Sequence, residues 1–228
     1  MGDDAAPDKP LTKRARRTEE MRRRILDASL RLFIQQGYEK TTTRQILNEV
    51  GILNGSLYNI YSSKEEIFSD IVMMALEDAI RQTPGFVPAD TPPCLKLGFF
   101  LNAQIYLSAR SPRIAELLMM AYKHWDIHGR ATEALRKWLE SIDRDNTLRS
   151  DSPDFMLRLE ACMAMTGTYV ERLYREPESM DPLDAMPLVI NTVANIMGLQ
   201  FKTDREEISR FIEVLGDREY EICGIPLQ

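Results

Sequence analysis

Between residues 42 and 64 lies a run of short polar, aromatic and basic side chains suited to recognition chemistry. Arg44 can pair with a phosphate or with a guanine edge. Asn54, Ser56 and Asn59 are short enough to hydrogen-bond base edges, directly or through water. Thr42 and Thr43 put hydroxyls at a helix start, where backbone N–H groups also reach a phosphate. Tyr58 and Tyr61 combine a ring that packs with a hydroxyl that can reach the nucleic-acid backbone. Lys64 adds one further cation. Taken singly, each of these residues also has a plain exposed or structural reading.

Other chemistries are poorly provided for. His124 and His128 stand at i, i+4, a spacing that can bind zinc on a helix. Trp125 stands where a metalloprotease needs Glu, and no third ligand follows, so no metal is expected. No Walker loop, nucleophile elbow or Gly-rich dinucleotide motif occurs, so neither an enzyme nor a cofactor is expected. The three cysteines, Cys94, Cys162 and Cys223, are scattered and read as reduced thiols. No apolar run approaches the length of a membrane span, and no apolar leader is seen, so a cytoplasmic chain without membrane contact is expected.

The polar run needs elements to hold it, and the local sequence supplies them. Gly37 ends one helix. Thr42 and Gln45 form a capping box that opens a second. Gly51 supplies the left-handed residue of a tight helix-to-helix turn. Gly55 to Tyr61 then predicts a helix of about seven residues, roughly 10 Å long. Such a helix suits the major groove, with its N-terminal end against base edges. Upstream, Met21, Ile25, Ala28, Leu32 and Phe33 repeat at helical spacing and predict the core of a small head.

Charge is distributed to match. The 228 residues carry a net charge of −6, and are 44% hydrophobic and 28% charged. Lys13 to Lys64 hold eleven basic and five acidic residues, +6; the chain from Glu65 onward is −10 and the first twelve residues are −2. A basic head on an acidic body is the electrostatic footprint of a nucleic-acid-binding domain joined to one that avoids it.

These residues resemble the TetR family of one-component transcription regulators. The resemblance runs from Ile25–Phe33 through Thr41, Thr42 and Ile46 to Gly55–Tyr58, and on to Ser63–Ile67. Leu53 stands where the family usually has a capping Ser, and Asn54 or Gly55 can cap instead. Ile60 replaces a residue that often contacts phosphate, so that role is not carried over.

The resemblance implies an all-α fold of about nine to ten helices. An N-terminal three-helix helix-turn-helix head would join a larger helical effector-binding and dimerisation domain. The divisions are a disordered basic arm over 1–17, the head over 18–63 and the effector domain over 64–228. The arm would follow phosphates or enter a minor groove, or else serve as a solubilising tail. Helical patterns continue from Ser63 to Pro84, Leu95 to Arg110, Pro112 to Trp125 and Gly129 to Ile142. Further ones run from Asp154 to Arg175, Asp184 to Leu199 and Asp204 to Arg218.

The family's ligand pocket would here fall to Met74, Met119, Tyr122, Trp125, Met163 and Tyr169, with ordinary core packing as the alternative for any one Met. Its four-helix dimer interface would use Ala161, Ala164 and Thr168 on one helix, and Asn191, Asn195 and Gly198 on the next. Those Asn residues could fix register across an interface or face solvent. The implied partners are double-stranded DNA, a second copy of the chain and a small apolar effector. The expected function is a ligand-responsive repressor on a pseudo-palindromic operator. The alternatives are a DNA-bound scaffold without a switch, or a ligand-binding helical protein that has lost DNA binding.

Overall fold

The computed structural model describes residues 12–199, 204–216, 221–222 and 224–226. Residues 1–11 of the expected arm, Cys223, and residues 217–218 of the last helical pattern lie outside them. Among the described residues there are ten α-helices and one short antiparallel pairing of Glu221–Ile222 with Ile225–Pro226.

The head is α1 (Lys13–Gln36), α2 (Thr43–Val50) and α3 (Asn54–Tyr58), followed by α4 (Lys64–Gln82). The body is α5 (Pro93–Arg110), α6 (Pro112–Lys123), α7 (Trp125–Ile142), α8 (Phe155–Arg175), α9 (Pro182–Ile196) and α10 (Arg205–Gly216). Pro stands in the first turn of α5, α6 and α9, where its missing N–H costs nothing.

Two expectations about the head are corrected. Lys13 to Arg17 are not a disordered arm: they form the first turn of α1, which starts five residues before Thr18. Thr12 is its N-cap, accepting a hydrogen bond from the Ala15 N–H, and the Lys/Arg-rich run that follows has high helix propensity. The recognition helix is also shorter than its pattern predicts, Asn54–Tyr58, with Leu53 at the N-cap and no side-chain cap.

The core comes in two parts. Ile25, Phe33, Ile46, Leu57 and Phe68 form the head's interior, which Ala121 of α6 and Ile127 of α7 complete. Leu97, Leu101, Leu135, Leu159 and Ile190 anchor the body's interior. The head is thus seated on the body through shared apolar packing. At Gly37 (φ +92°) an added Cβ would fall within 2.5–2.8 Å of Arg113 and Glu116 of α6. Those are the far ends of two flexible side chains that can shift, so it is glycine's positive φ that the end of α1 needs.

Candidate nucleic-acid interface and cavity

The head's geometry is set by local hydrogen bonds that the sequence announced and by longer ones that it did not. Thr42 accepts from the Gln45 N–H at 3.3 Å, and the Gln45 side chain accepts from the Thr42 N–H at 2.8 Å. Gly51 closes α2 in the left-handed region, φ +72°. Arg24, from α1, donates to the Val50 carbonyl at 2.7 Å, placing a cation on the last turn of α2. That contact joins residues 26 apart in sequence and has no local signature.

These bonds leave one polar face outward. Thr42, Arg44, Asn54, Ser56 and Asn59 are exposed, Tyr58 is about half exposed and Thr43 half-buried. Only Leu57 of α3 points into the core. Lys13, Arg14 and Arg17 of α1 border a groove with Ser56, Asn59 and Ile60. The basic residues expected in a free arm therefore stand, ordered, beside the recognition helix.

Two expected contacts are corrected. Tyr61 is 1% exposed. Its hydroxyl accepts from Arg22 Nε at 3.0 Å and donates to Asp70 at 3.1 Å, so it cannot reach DNA. Burial pushes its phenol above the ordinary tyrosine range. Lys64 turns inward too: its Nζ donates to the Tyr38 and Thr41 carbonyls, both at 3.0 Å, and lies 4.1 Å from the Tyr38 ring centroid. It locks the loop between α1 and α2 and leaves no free ammonium for a phosphate.

Tyr61 belongs to a polar hub between head and body. Asp70 on α4 accepts from Arg22 of α1 at 2.7 Å, from Tyr61, and from Arg130 of α7 at 3.3 Å. Arg130 also donates to Ser69 at 2.5 Å. Burial opposes the Asp70 charge, but these three donors outweigh it and hold the carboxyl below the usual carboxylate range.

Below the head lies a cavity of about 240 Å³. Leu30 and Phe33 of α1 and Phe68 of α4 form its upper wall, and Phe99, Phe100 and Tyr122 its lower one. Of the expected pocket residues, Tyr122 and Met163 line it; Met74, Met119, Trp125 and Tyr169 do not. Met74 packs against the head's core because α4 turns Ile71, Ala75 and Ala79 to the cavity. Met119 is buried on another side of α6, whose cavity face is Leu118, Ala121 and Tyr122. Tyr169 packs against the body's core, and Trp125, first residue of α7, is 82% exposed.

Phenylalanines provide more of the wall than methionines, and Gln104 and His128 join Tyr122 there. Their helical registers carried the signal, but only packing shows which side of each helix is hollow. The Tyr122 ring lies against α8 at Gly167, where an added Cβ would come within 2.8 Å of it. No group of three or more metal-ligating side chains occurs among the described residues.

On the far side, Ala161, Ala164 and Thr168 of α8 are exposed, as are Asn195 at the end of α9 and Gly198 just beyond it; Asn191 is half-buried. Leu157 and Leu188 on the same two helices are 67% and 55% exposed. Cys94 and Cys162 are buried free thiols, pushed by burial up to about 12 and so kept protonated.

A helix-turn-helix with an outward polar recognition face, carried on a larger all-helical body, defines a DNA-binding regulator of transcription. Comparison with known proteins specifies it further. Residues 25–71 match the family described as bacterial regulatory proteins, tetR family. The transcriptional repressor KstR2 of Mycolicibacterium smegmatis is 24% identical over 204 residues, covering 85% of this chain and 94% of that protein. The crystal structure of RolR with resorcinol superposes with a TM-score of 0.66 at 14% identity, covering 91% of this chain and 99% of RolR. Thermus thermophilus FadR, solved with lauroyl-CoA, gives a TM-score of 0.59 at 17% identity over 80% of this chain and 97% of FadR. Residues 25–71 thus carry the helix-turn-helix domain of the tetR family, and the curated relatives that the chain matches are transcriptional regulators. No helix among the described residues is long and apolar enough to cross a membrane.

Proposed function

We propose that the protein is a homodimeric repressor that holds a pseudo-palindromic DNA site through two heads. A small, mostly apolar molecule releases it by filling the cavity. The observation that carries this reading is the cavity's reach, since Leu30, Phe33 and Phe68 belong at once to its wall and to the head's core. A molecule bound there presses on the packing that seats the head. It shifts the equilibrium only by binding the released state more tightly than the DNA-bound one. RolR and Thermus FadR, of the same fold, were solved with resorcinol and lauroyl-CoA, which supports a ligand site within such a body.

Recognition falls to Thr42, Thr43, Arg44, Asn54, Ser56, Tyr58 and Asn59, with Lys13, Arg14 and Arg17 following phosphates alongside. A second copy covers the α8–α9 face, whose exposed Leu157 and Leu188 flank small residues that let helices approach closely. Two heads so paired meet successive major grooves roughly 34–36 Å apart. A factor that works on DNA in this way acts in the cytoplasm.

The test is fluorescence anisotropy on DNA from upstream of the protein's own gene, beside a scrambled duplex, at several salt concentrations. Selective binding with a steep salt slope is expected, and Arg44→Ala/Tyr58→Ala should abolish it while leaving a folded dimer. Unchanged affinity in that double variant would refute the assignment of the face. A small-molecule screen that shifts neither melting nor DNA affinity would instead favour a DNA-bound scaffold without a switch.

A further inference from the structure

The cavity's polar groups are few, and most already have partners. At the end of α4, Gln82 donates to Asp78 at 2.9 Å, Arg81 pairs with the same carboxylate, and the Thr83 hydroxyl donates to the Ala79 carbonyl at 3.0 Å. Tyr122, Gln104 and His128 differ. The Tyr122 hydroxyl donates to Gln104 Oε1 at 2.8 Å, and among the described residues neither side chain makes another hydrogen bond. That bond leaves the phenol oxygen as an acceptor and the Gln104 amide N–H groups as donors. The His128 ring, its centroid 6.2 Å from that of Tyr122, makes no side-chain hydrogen bond among the described residues. Gly167 clamps the Tyr122 ring, so the pair is held in place rather than free to swing.

Charge narrows the choice. No Lys or Arg lines the cavity, and its one carboxylate, Asp78, is already paired. A carboxylate or phosphate taken inside would lose its hydration with no permanent cation to compensate, and an ammonium would find no unpaired anion. A neutral group that both donates and accepts loses little, because Tyr122 and Gln104 supply the complementary partners.

Building on the ligand-responsive reading above, we infer that the effector is an uncharged molecule. It has an apolar body against the phenylalanine walls and one hydroxyl or phenol group held by Tyr122 and Gln104. Anionic acyl compounds are then poor ligands for the cavity itself.

Four probes with one body and different heads test this: 4-butylphenol, butylbenzene, 4-butylbenzoate and 4-butylbenzylammonium. Each is titrated by calorimetry into the full-length protein at neutral pH. The phenol should bind roughly tenfold more tightly than the hydrocarbon, and the two ions more weakly than the phenol. Gln104→Leu and Tyr122→Phe should each erase most of the phenol's advantage while leaving hydrocarbon affinity within about twofold. Two variants are used so that a folding defect in one does not decide the matter, with circular dichroism and melting confirming each fold. Tighter binding of benzoate or ammonium, or equal binding of phenol and hydrocarbon, overturns the inference while leaving the cavity a ligand site. Binding of none of the four overturns both the inference and the ligand-responsive reading.

Discussion

Asp70→Ala should loosen the junction between head and body by an amount the hub's geometry sets. Asp70 accepts from Arg22 at 2.7 Å, from Tyr61 at 3.1 Å and from Arg130 at 3.3 Å. The arginine side chains are 41% and 49% exposed, so solvent screens each pair to about 0.5–1 kcal/mol. The Tyr61 hydroxyl is buried, and stranding its hydrogen costs about 1–3 kcal/mol. Together the loss should be about 2–5 kcal/mol at pH 7, a fall in melting temperature on the order of 10 °C for a chain of this size.

The hub's pH dependence has a definite sign. The Asp70 carboxyl is held below its ordinary value in the folded protein. Its contribution is therefore complete above the unfolded carboxylate value of about 4, and disappears as pH falls through the lower folded value. Urea unfolding of the protein and of Asp70→Ala across pH 3–8 measures this directly. The gap between them should be widest near neutrality and narrow in acid. A gap under about 0.5 kcal/mol at pH 7 would refute the hub's role, as would one that widens in acid.

Three further outcomes are expected. Gly167→Ala forces a Cβ to within 2.8 Å of the Tyr122 ring, so it should cost about 1–3 kcal/mol and weaken 4-butylphenol binding; unchanged melting and affinity would show that the ring is not clamped. Leu53, 82% exposed at the start of the recognition helix, should touch a thymine methyl, so replacing one operator thymine by uracil should cost roughly fourfold in the native protein and nothing in Leu53→Ala. If every such replacement is neutral in anisotropy titrations, Leu53 reads no base. Leu157→Glu/Leu188→Glu should convert a dimer to a monomer in light scattering and weaken binding to a full operator far more than to a half-site; a variant that stays dimeric would place the interface elsewhere.

The hub and the cavity meet the head from different sides. Arg22 and Tyr61 hold the head to α4 through Asp70, and Arg130 ties α4 to α7. One turn before Arg130, Ile127 and His128 of α7 line the cavity. A ligand that moves α7 would thus act on the same carboxylate that anchors the head, so Asp70→Ala should also reduce the effect of ligand on DNA affinity.

What the sequence determined by itself is what depends on neighbours a few residues away. The Thr42–Gln45 capping box, the left-handed Gly51, the end of α1 at Gly37 and the proline opening α6 are all local bargains between a side chain and its own backbone. Their types and spacing suffice to read them, and with them the helix-turn-helix and the all-helical body. The start of α1 was missed although Thr12 is a local cap, because a basic run reads equally well as a free arm. Which way a side chain faces was decided by packing between distant segments. Tyr61 and Lys64 have the chemistry of DNA contacts, but Arg22 and Asp70 claim the one, and the Tyr38 and Thr41 carbonyls claim the other. Trp125 looks like a pocket wall and lies on the surface, while Gln104 and Phe99 look like ordinary helix residues and line the cavity. A hollow is defined by the helices that fail to meet across it, and no single helix carries that information in its own pattern.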